Sequence, residues 1–101
     1  LTFGPFLFDP NTGILTKLGD RIHITTAEQQ LLTKFGEHSN TVLSREDIGA
    51  ALDGRMEGRS IDVAVARLRR KIEADPKHPV YLQTVRNRGW MLRPDDTSFE
   101  R

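Results

Sequence analysis

Short apolar runs alternate with turn residues over the first 24 residues of the chain. The runs are FGPFLFD, GILTKL and RIHI, and turn-forming residues separate them at positions 9–11, 13 and 19–20. Apolar runs of this length, bounded by glycine, proline and asparagine, are typical of strands joined by tight turns. The pattern predicts a small antiparallel meander at the N-terminus.

The apolar spacing then changes to that of helices. In TTAEQQLLTKFGEH, Thr25 and Glu28 have the spacing of a capping box, which predicts a first helix over residues 26–38. In VLSREDIGAAL, Ser44 stands three residues before an aspartate, and this arrangement predicts a second helix over residues 45–52.

The stretch RSIDVAVARLRRKIEADP, residues 59–76, has a regular helical pattern. Its apolar residues recur at spacings of four, three and four from Ile61 to Ile72, so they form one stripe of a 3.6-residue helix. Ser60 can cap this helix and the proline that closes the stretch must end it, which predicts a helix over residues 60–74. The segment DGRMEG before it is predicted to be a flexible linker.

The face opposite the apolar stripe carries arginines separated by small apolar residues. It comprises Arg59, Val63, Ala66, Arg67 and Arg70, with Asp62 at its edge. An α-helix fits the DNA major groove, where arginine can bind O6 and N7 of guanine and a small apolar side chain can contact the thymine methyl group. We therefore expect Arg67 and Arg70 to contact bases, and Asp62 to orient an arginine or exclude wrong bases. The alternative is a solvated surface helix in which Arg69 pairs with Glu73.

The string YLQTVRNRGWML predicts a β-hairpin, with a wing over residues 81–93, because asparagine and glycine at its centre tolerate positive φ. Arg86 and Arg88 bracket the tip, where arginine can enter a narrow minor groove, and Thr84 can reach a phosphate. Trp90 is expected to pack on the core, although its indole N–H can also donate to a phosphate. The alternative is an ordinary polar turn.

Composition limits the class of protein. A chain of 101 residues is long enough for one hydrophobic core but not for two, and we expect residues 1–94 to form the domain and residues 95–101 a frayed tail. The sequence has no cysteine, no signal-like start and no apolar run near the ~18 residues of a membrane span, so we expect a cytoplasmic protein. The start LTFGPFLF, without methionine, suggests a piece of a longer chain.

The net charge of +1 conceals an uneven distribution. Residues 1–54 hold four Lys/Arg against seven Asp/Glu, residues 55–93 hold ten against four, and residues 94–101 hold one against three. The middle segment is therefore strongly basic, as in many nucleic-acid-binding proteins. From charge alone, a solvated face that only maintains solubility is an equally good interpretation.

Catalytic chemistry has little support. His23, His38 and His78 are scattered, no carboxylates are paired at metal-ligand spacing, and no glycine-rich loop opens a helix. Ser44 and Ser60 are explained as helix caps, which are far commoner than nucleophiles without a nearby base. We expect neither an enzyme nor a bound metal or cofactor.

The stretch RSIDVAVARLRRKIEADPKHPVYLQTVRNRGWMLRPD resembles the C-terminal effector domain of the OmpR/PhoB family of bacterial response regulators. It follows the family pattern R-x-[I/V]-D-V-x-[I/V]-x-R-L-R-[R/K]-K and then Y-[I/L]-x-T-V-R-x-x-G-Y, with Trp90 in place of the last tyrosine. ITTAEQQLL and LSREDI resemble the earlier helices of the family. The resemblance implies an α+β winged helix-turn-helix with an N-terminal antiparallel four-stranded sheet, three helices and a C-terminal β-hairpin wing.

The resemblance also implies a function, which is sequence-specific binding of double-stranded DNA with helix 60–74 in the major groove and the wing in the minor groove. The family's DNA contacts match Arg59, Ser60, Asp62, Val63, Arg67, Arg69, Thr84 and Arg86. Implied partners are an upstream receiver domain with its sensor kinase, a second copy of the domain on direct-repeat sites, and RNA polymerase through residues 53–59.

Two other functions stay open. A protein-binding winged helix would use the same basic face for an acidic partner, and an enzyme would need a pocket with convergent titratable groups. Steep salt dependence with duplex DNA, together with preference for one sequence, separates a DNA-binding domain from the protein-binding alternative.

Overall fold

A computed structural model of the chain describes residues 1–52 and 58–94. Residues 53–57 of the predicted linker and the predicted tail at residues 95–101 lie outside the described residues. The order of elements is four strands, three helices and a two-stranded hairpin. The α+β winged-helix architecture expected from the resemblance is confirmed.

The N-terminal sheet is an antiparallel meander, as the alternating apolar runs predict. Its strands follow the order β1-β2-β3-β4 and comprise β1 Thr2–Phe3, β2 Phe6–Asp9, β3 Ile14–Lys17 and β4 Asp20–Ile22. Phe8 lies opposite Leu15 across β2 and β3, and both side chains point into the core. Leu7, the neighbour of Phe8, points to solvent, as the two-residue period of a strand requires.

The helices are α1 Thr26–Glu37, α2 Arg45–Ala51 and α3 Arg59–Ile72. The predicted capping box at Thr25 and the predicted cap at Ser44 are both present. Thr25 accepts the N–H of Glu28 while the Glu28 carboxylate accepts the N–H of Thr25, and Ser44 forms the same reciprocal pair with Asp47. The backbone N–H and the hydroxyl of Ser44 hold the pKa of Asp47 below its ordinary value. α1 and α2 each end one residue earlier than predicted.

The start of α3 differs from the prediction. Gly58, with φ of 58°, occupies the position before the first helical residue, and no side chain caps this end. Arg59 begins the helix, so Ser60 already has helical backbone angles and lies exposed in the first turn. A capping side chain must belong to the non-helical residue that precedes the helix. The prediction that Ser60 caps α3 is therefore wrong.

The end of α3 also comes earlier than Pro76 predicts. The helix stops at Ile72, and Glu73 takes extended backbone angles, with φ of −105° and ψ of 137°. The Glu73 carboxylate accepts the backbone N–H groups of Val80, Tyr81 and Leu82 at 2.7 to 3.3 Å. This buried carboxylate fixes the end of α3 against the start of the hairpin.

One hydrophobic core joins the sheet, the three helices and the hairpin. The predicted apolar stripe of α3 is buried, with Ile61, Val65, Leu68 and Ile72 each at most 1% exposed. Outside that stripe, the buried carboxylate of Glu28 binds the ammonium group of Lys71 at 2.6 Å and so ties the start of α1 to the last turn of α3. The opposite face of α3 is left pointing outward.

The hairpin consists of β5 Leu82–Val85 and β6 Gly89–Leu92, with Asn87 at its tip at φ of 65°. Its second strand docks on Leu43, two residues before α2, because Leu43 and Trp90 exchange backbone hydrogen bonds of 2.8 and 3.0 Å. Gly89 permits this approach, since a β-carbon there would lie 2.0 Å from the carbonyl oxygen of Leu43.

We expect Gly89→Ala to lower the free energy of unfolding by about 2–4 kcal/mol, because the alanine combines a strained φ with a clash against the backbone of Leu43. Chemical denaturation measures the loss. Gly19→Ala is the matched control, because Gly19 also has positive φ, at +88°, but has open space where the β-carbon would lie. Equal losses at both positions would contradict the role assigned to the Leu43 contact.

Candidate nucleic-acid interface

The residues predicted to face away from the core on α3 are exposed in the structure. Its exposed residues are Arg59, Val63, Ala66, Arg67 and Arg70. Val63 is 48% exposed although it is a large apolar residue. A face with cationic groups around small apolar side chains can approach a base-lined groove closely, since none of its apolar members holds the helix away.

Asp62, at the edge of this face, is bound by an arginine that the sequence analysis did not single out. Nε and Nη2 of Arg45 donate to Oδ1 and Oδ2 of Asp62, each at 3.0 Å. The hydrogen bond and the charge of Asp62 raise the pKa of the Arg45 guanidinium above its ordinary value. The idea that Asp62 orients an arginine fits this pair, and the arginine comes from α2.

Arg45 also lies over the ring of Trp90, with its guanidinium carbon 5.4 Å from the ring centroid. Trp90 is only 7% exposed, so its packing on the core is as expected. Arg45 thus contacts both α3, through Asp62, and the second strand of the hairpin. No local spacing could have indicated this, because Arg45 and Asp62 are 17 residues apart in the chain.

Arg69 is turned toward the hairpin rather than toward solvent. Its Nε donates to the carbonyl of Leu82 and its Nη2 donates to the hydroxyl of Thr84, both at 2.9 Å. Burial lowers the pKa of Arg69, and the charge of Glu73 opposes that shift. The Arg69–Glu73 ion pair considered from the sequence is not formed, because Glu73 binds backbone N–H groups of the residues that lead into β5.

The wing presents its polar residues to solvent. Thr84, Arg86 and Arg88 are exposed, and they lie on the strand ends and tip that project from the core. An open groove of about 540 Å³ separates the wing from the start of α2, and both Arg45 and Arg88 line it. The structure therefore places the exposed arginines of α3 and of the hairpin on elements that are bonded to each other.

Other chemistry is poorly supported within residues 1–52 and 58–94. No group of three or more His, Asp or Glu side chains there could hold a metal ion. His78 binds Asp75 at 2.9 Å, and this hydrogen bond, followed by that from the N–H of Lys77, lowers the pKa of the Asp75 carboxyl. Among the described helices, none has the length and apolar character to cross a membrane.

Comparison with known proteins gives a consistent result. The family model described as "Transcriptional regulatory protein, C terminal" matches residues 19–92. The protein PetR of Rhodobacter capsulatus is 39% identical over 103 residues, which cover 94% of this chain and 44% of PetR. The chain thus spans less than half the length of this curated relative.

Solved structures show the same fold. The RstA DNA-binding domain of Klebsiella pneumoniae, determined in complex with the RstA box, has a TM-score of 0.84 and 29% identity over 93% of this chain and 96% of that one. The response regulator DrrB of Thermotoga maritima, described as an OmpR/PhoB homologue, has a TM-score of 0.80 and 29% identity over 92% of this chain and 43% of DrrB.

Because Ser60 lies within α3 and does not cap it, its substitution should have little effect on stability. We expect Ser60→Ala to alter the free energy of unfolding by less than about 0.5 kcal/mol, because the hydroxyl caps nothing. Ser44→Ala is the matched control and should cost about 1 kcal/mol, since Ser44 does cap α2. Thermal and chemical melts of both variants make the comparison, and a Ser60→Ala loss as large as that of Ser44→Ala would restore the capping role.

Proposed function

The chain belongs to the family of C-terminal domains of transcriptional regulatory proteins, of the OmpR/PhoB type, and on this basis we propose that it binds double-stranded DNA sequence-specifically as the output domain of a response regulator. The observation that carries the proposal is the outward face of α3. This face exposes arginines and small apolar side chains, and the opposite face of the helix is buried in the core. The structural likeness to a domain solved on its DNA site supports it.

In this proposal α3 lies in the major groove. Arg67 and Arg70 donate to guanine O6 and N7, and Val63 and Ala66 contact thymine methyl groups. Arg59, at the start of the helix, is placed to bind a phosphate. Contacts of this last kind position the protein without selecting a sequence, whereas those to base edges select it.

Ser60, Asp62 and Arg69 complete the proposed contacts from α3. Ser60 is free of a capping role and can donate its hydroxyl proton to a phosphate. Asp62 and Arg69 act at the edges of the helix, where each is also bonded within the protein. We expect any direct contact of these two with DNA to be secondary to Arg67 and Arg70.

The wing lies in the adjacent minor groove. Arg86 and Arg88 enter the groove or bind its phosphates, where a narrow groove concentrates negative potential. Thr84 accepts a hydrogen bond from Arg69, so its own hydroxyl proton remains available for a phosphate oxygen. Trp90 supports the wing from beneath, and its small exposed fraction leaves the indole N–H as a minor candidate for phosphate contact.

The whole regulator is proposed by extension from the family. Residues 1–94 form its DNA-binding domain, residues 95–101 a tail, and a receiver domain phosphorylated by a sensor kinase precedes them. Two copies bind direct-repeat half-sites, and residues 53–59 contact RNA polymerase. The protein acts in the bacterial cytoplasm, on the nucleoid when bound, with no enzymatic activity and no cofactor in this domain.

Duplex selection tests the function. Duplexes selected from a randomised pool should bind at least about 10³-fold tighter than random duplexes, with steep salt dependence for both. Polyglutamate serves as an acidic, non-nucleic competitor. Equal binding to selected and random duplexes, or preference for polyglutamate, would favour a protein-binding module instead.

We expect Arg67→Ala to weaken binding to the selected duplex by roughly 1–3 kcal/mol and to relax preference at one base pair, because a two-bond contact to guanine is lost. Repeating the selection with the variant measures the base preference. Arg21→Ala is the matched control, because Arg21 is an exposed arginine on β4, outside the proposed interface. An unchanged preference at every position would remove Arg67 from base recognition.

For the wing, we expect replacement of both Arg86 and Arg88 with alanine to weaken binding to all duplexes and to make the salt dependence shallower. Each lost phosphate contact removes about 0.9 from the slope of log K against log salt. Melting should stay unchanged, since both side chains are exposed. The double variant Lys17→Ala, Arg21→Ala controls for net charge, and equal slopes in the two doubles would mean that the wing does not touch DNA.

A further inference from the structure

Arg45 is the centre of a three-element junction at one end of α3. Its guanidinium donates two hydrogen bonds to Asp62 of α3, and its central carbon lies 5.4 Å from the ring centroid of Trp90 in β6. Arg45 itself begins α2, two residues after Leu43, which shares the backbone bridge with Trp90. One side chain therefore joins the first turn of α3 to a unit made of the wing and the start of α2.

Arg69 makes a separate connection to the other strand of the wing. From nearly two turns further along α3, it bonds the carbonyl of Leu82 and the hydroxyl of Thr84 in β5. A hairpin joined to a helix through one strand can still pivot about that joint. Joined through β5 by Arg69 and through β6 by the Arg45 junction, it has a defined angle to the helix.

We propose that Arg45 is a positioning residue for DNA recognition, which fixes the wing relative to α3 by binding Asp62 and lying over the ring of Trp90. Sequence-specific binding requires the helix and the wing to engage their two grooves together. A preset angle between them therefore reduces the conformational entropy lost on binding. Binding to random duplexes depends mainly on charge and needs no such angle. The inference rests on the proposed DNA-binding function.

Arg45 is better suited to this role than to holding a phosphate. Two of its N–H groups are bound to Asp62, whose charge balances its own, and its guanidinium carbon lies over the ring of Trp90. Lysine cannot replace it, because an ammonium group lacks the planar fork that binds both carboxylate oxygens and stacks on an aromatic ring. Arg45→Lys thus removes the geometry and keeps the charge.

The test compares Arg45→Lys, Asp62→Asn and the double variant in the 101-residue chain, with Arg21→Lys as the matched control. The measured quantity is the ratio of affinities for a duplex selected by the unchanged chain and for a random duplex, with a thermal melt of each protein. We expect Arg45→Lys to reduce the ratio about tenfold, with random-duplex affinity and salt slope unchanged. The double variant should lose little more than Arg45→Lys and Asp62→Asn lose singly, because both break one junction.

Several results would overturn the inference. An Arg45→Lys ratio equal to that of Arg21→Lys would show that the junction does not affect recognition. Equal weakening on both duplexes with a lower melt would make Arg45 structural only. An Asp62→Asn variant whose ratio equals that of the unchanged chain would show that the pairing of Arg45 with Asp62 has no part in recognition, since the added charge alone tightens binding to both duplexes. If the unchanged chain prefers no duplex, the proposed function itself fails.

Discussion

Burial of one apolar stripe of α3 is the constraint on which the rest of the structure depends. Ile61, Val65, Leu68 and Ile72 are buried in the one core that the sheet, the three helices and the hairpin share, so the rotation of the helix about its axis is fixed. The side chains on the opposite face are then exposed by geometry rather than by chance. Their cationic character has a function only because this rotation is fixed.

Polar side chains at the two ends of α3 join the helix to particular neighbouring elements. Apolar burial alone does not provide this specificity. At the C-terminal end, Glu28 holds Lys71, and Glu73 binds three consecutive backbone N–H groups that lead into β5. At the N-terminal end the pairing of Arg45 with Asp62 does the same toward α2. Each pair includes a charged group, and removing one partner leaves the other in a poorly solvated position where burial is high, as for Glu28.

Local signals in the sequence were enough for most elements, but they failed at the start of α3 and where residues distant in the chain decide. The capping boxes at Thr25 and Ser44 depend on residues three apart, so their spacing predicts them correctly. The prediction of a cap at Ser60 was wrong because Gly58, with its positive φ, occupies the cap position, so Ser60 already lies within α3. The end of α3 and the partner of Arg69 were missed for a different reason, since Glu73 and Arg69 bond to residues of the hairpin rather than within the helix.

The docking of the hairpin through its two strands has an evolutionary consequence. The contacts that hold the wing in place involve Trp90, Leu82 and Thr84, while the tip at Asn87 lies beyond them in solvent. Residues at the tip can therefore be exchanged, added or removed without disturbing the joint to α3. A lineage can diversify the exposed surface of the wing while its scaffold stays the same, at little cost in folding.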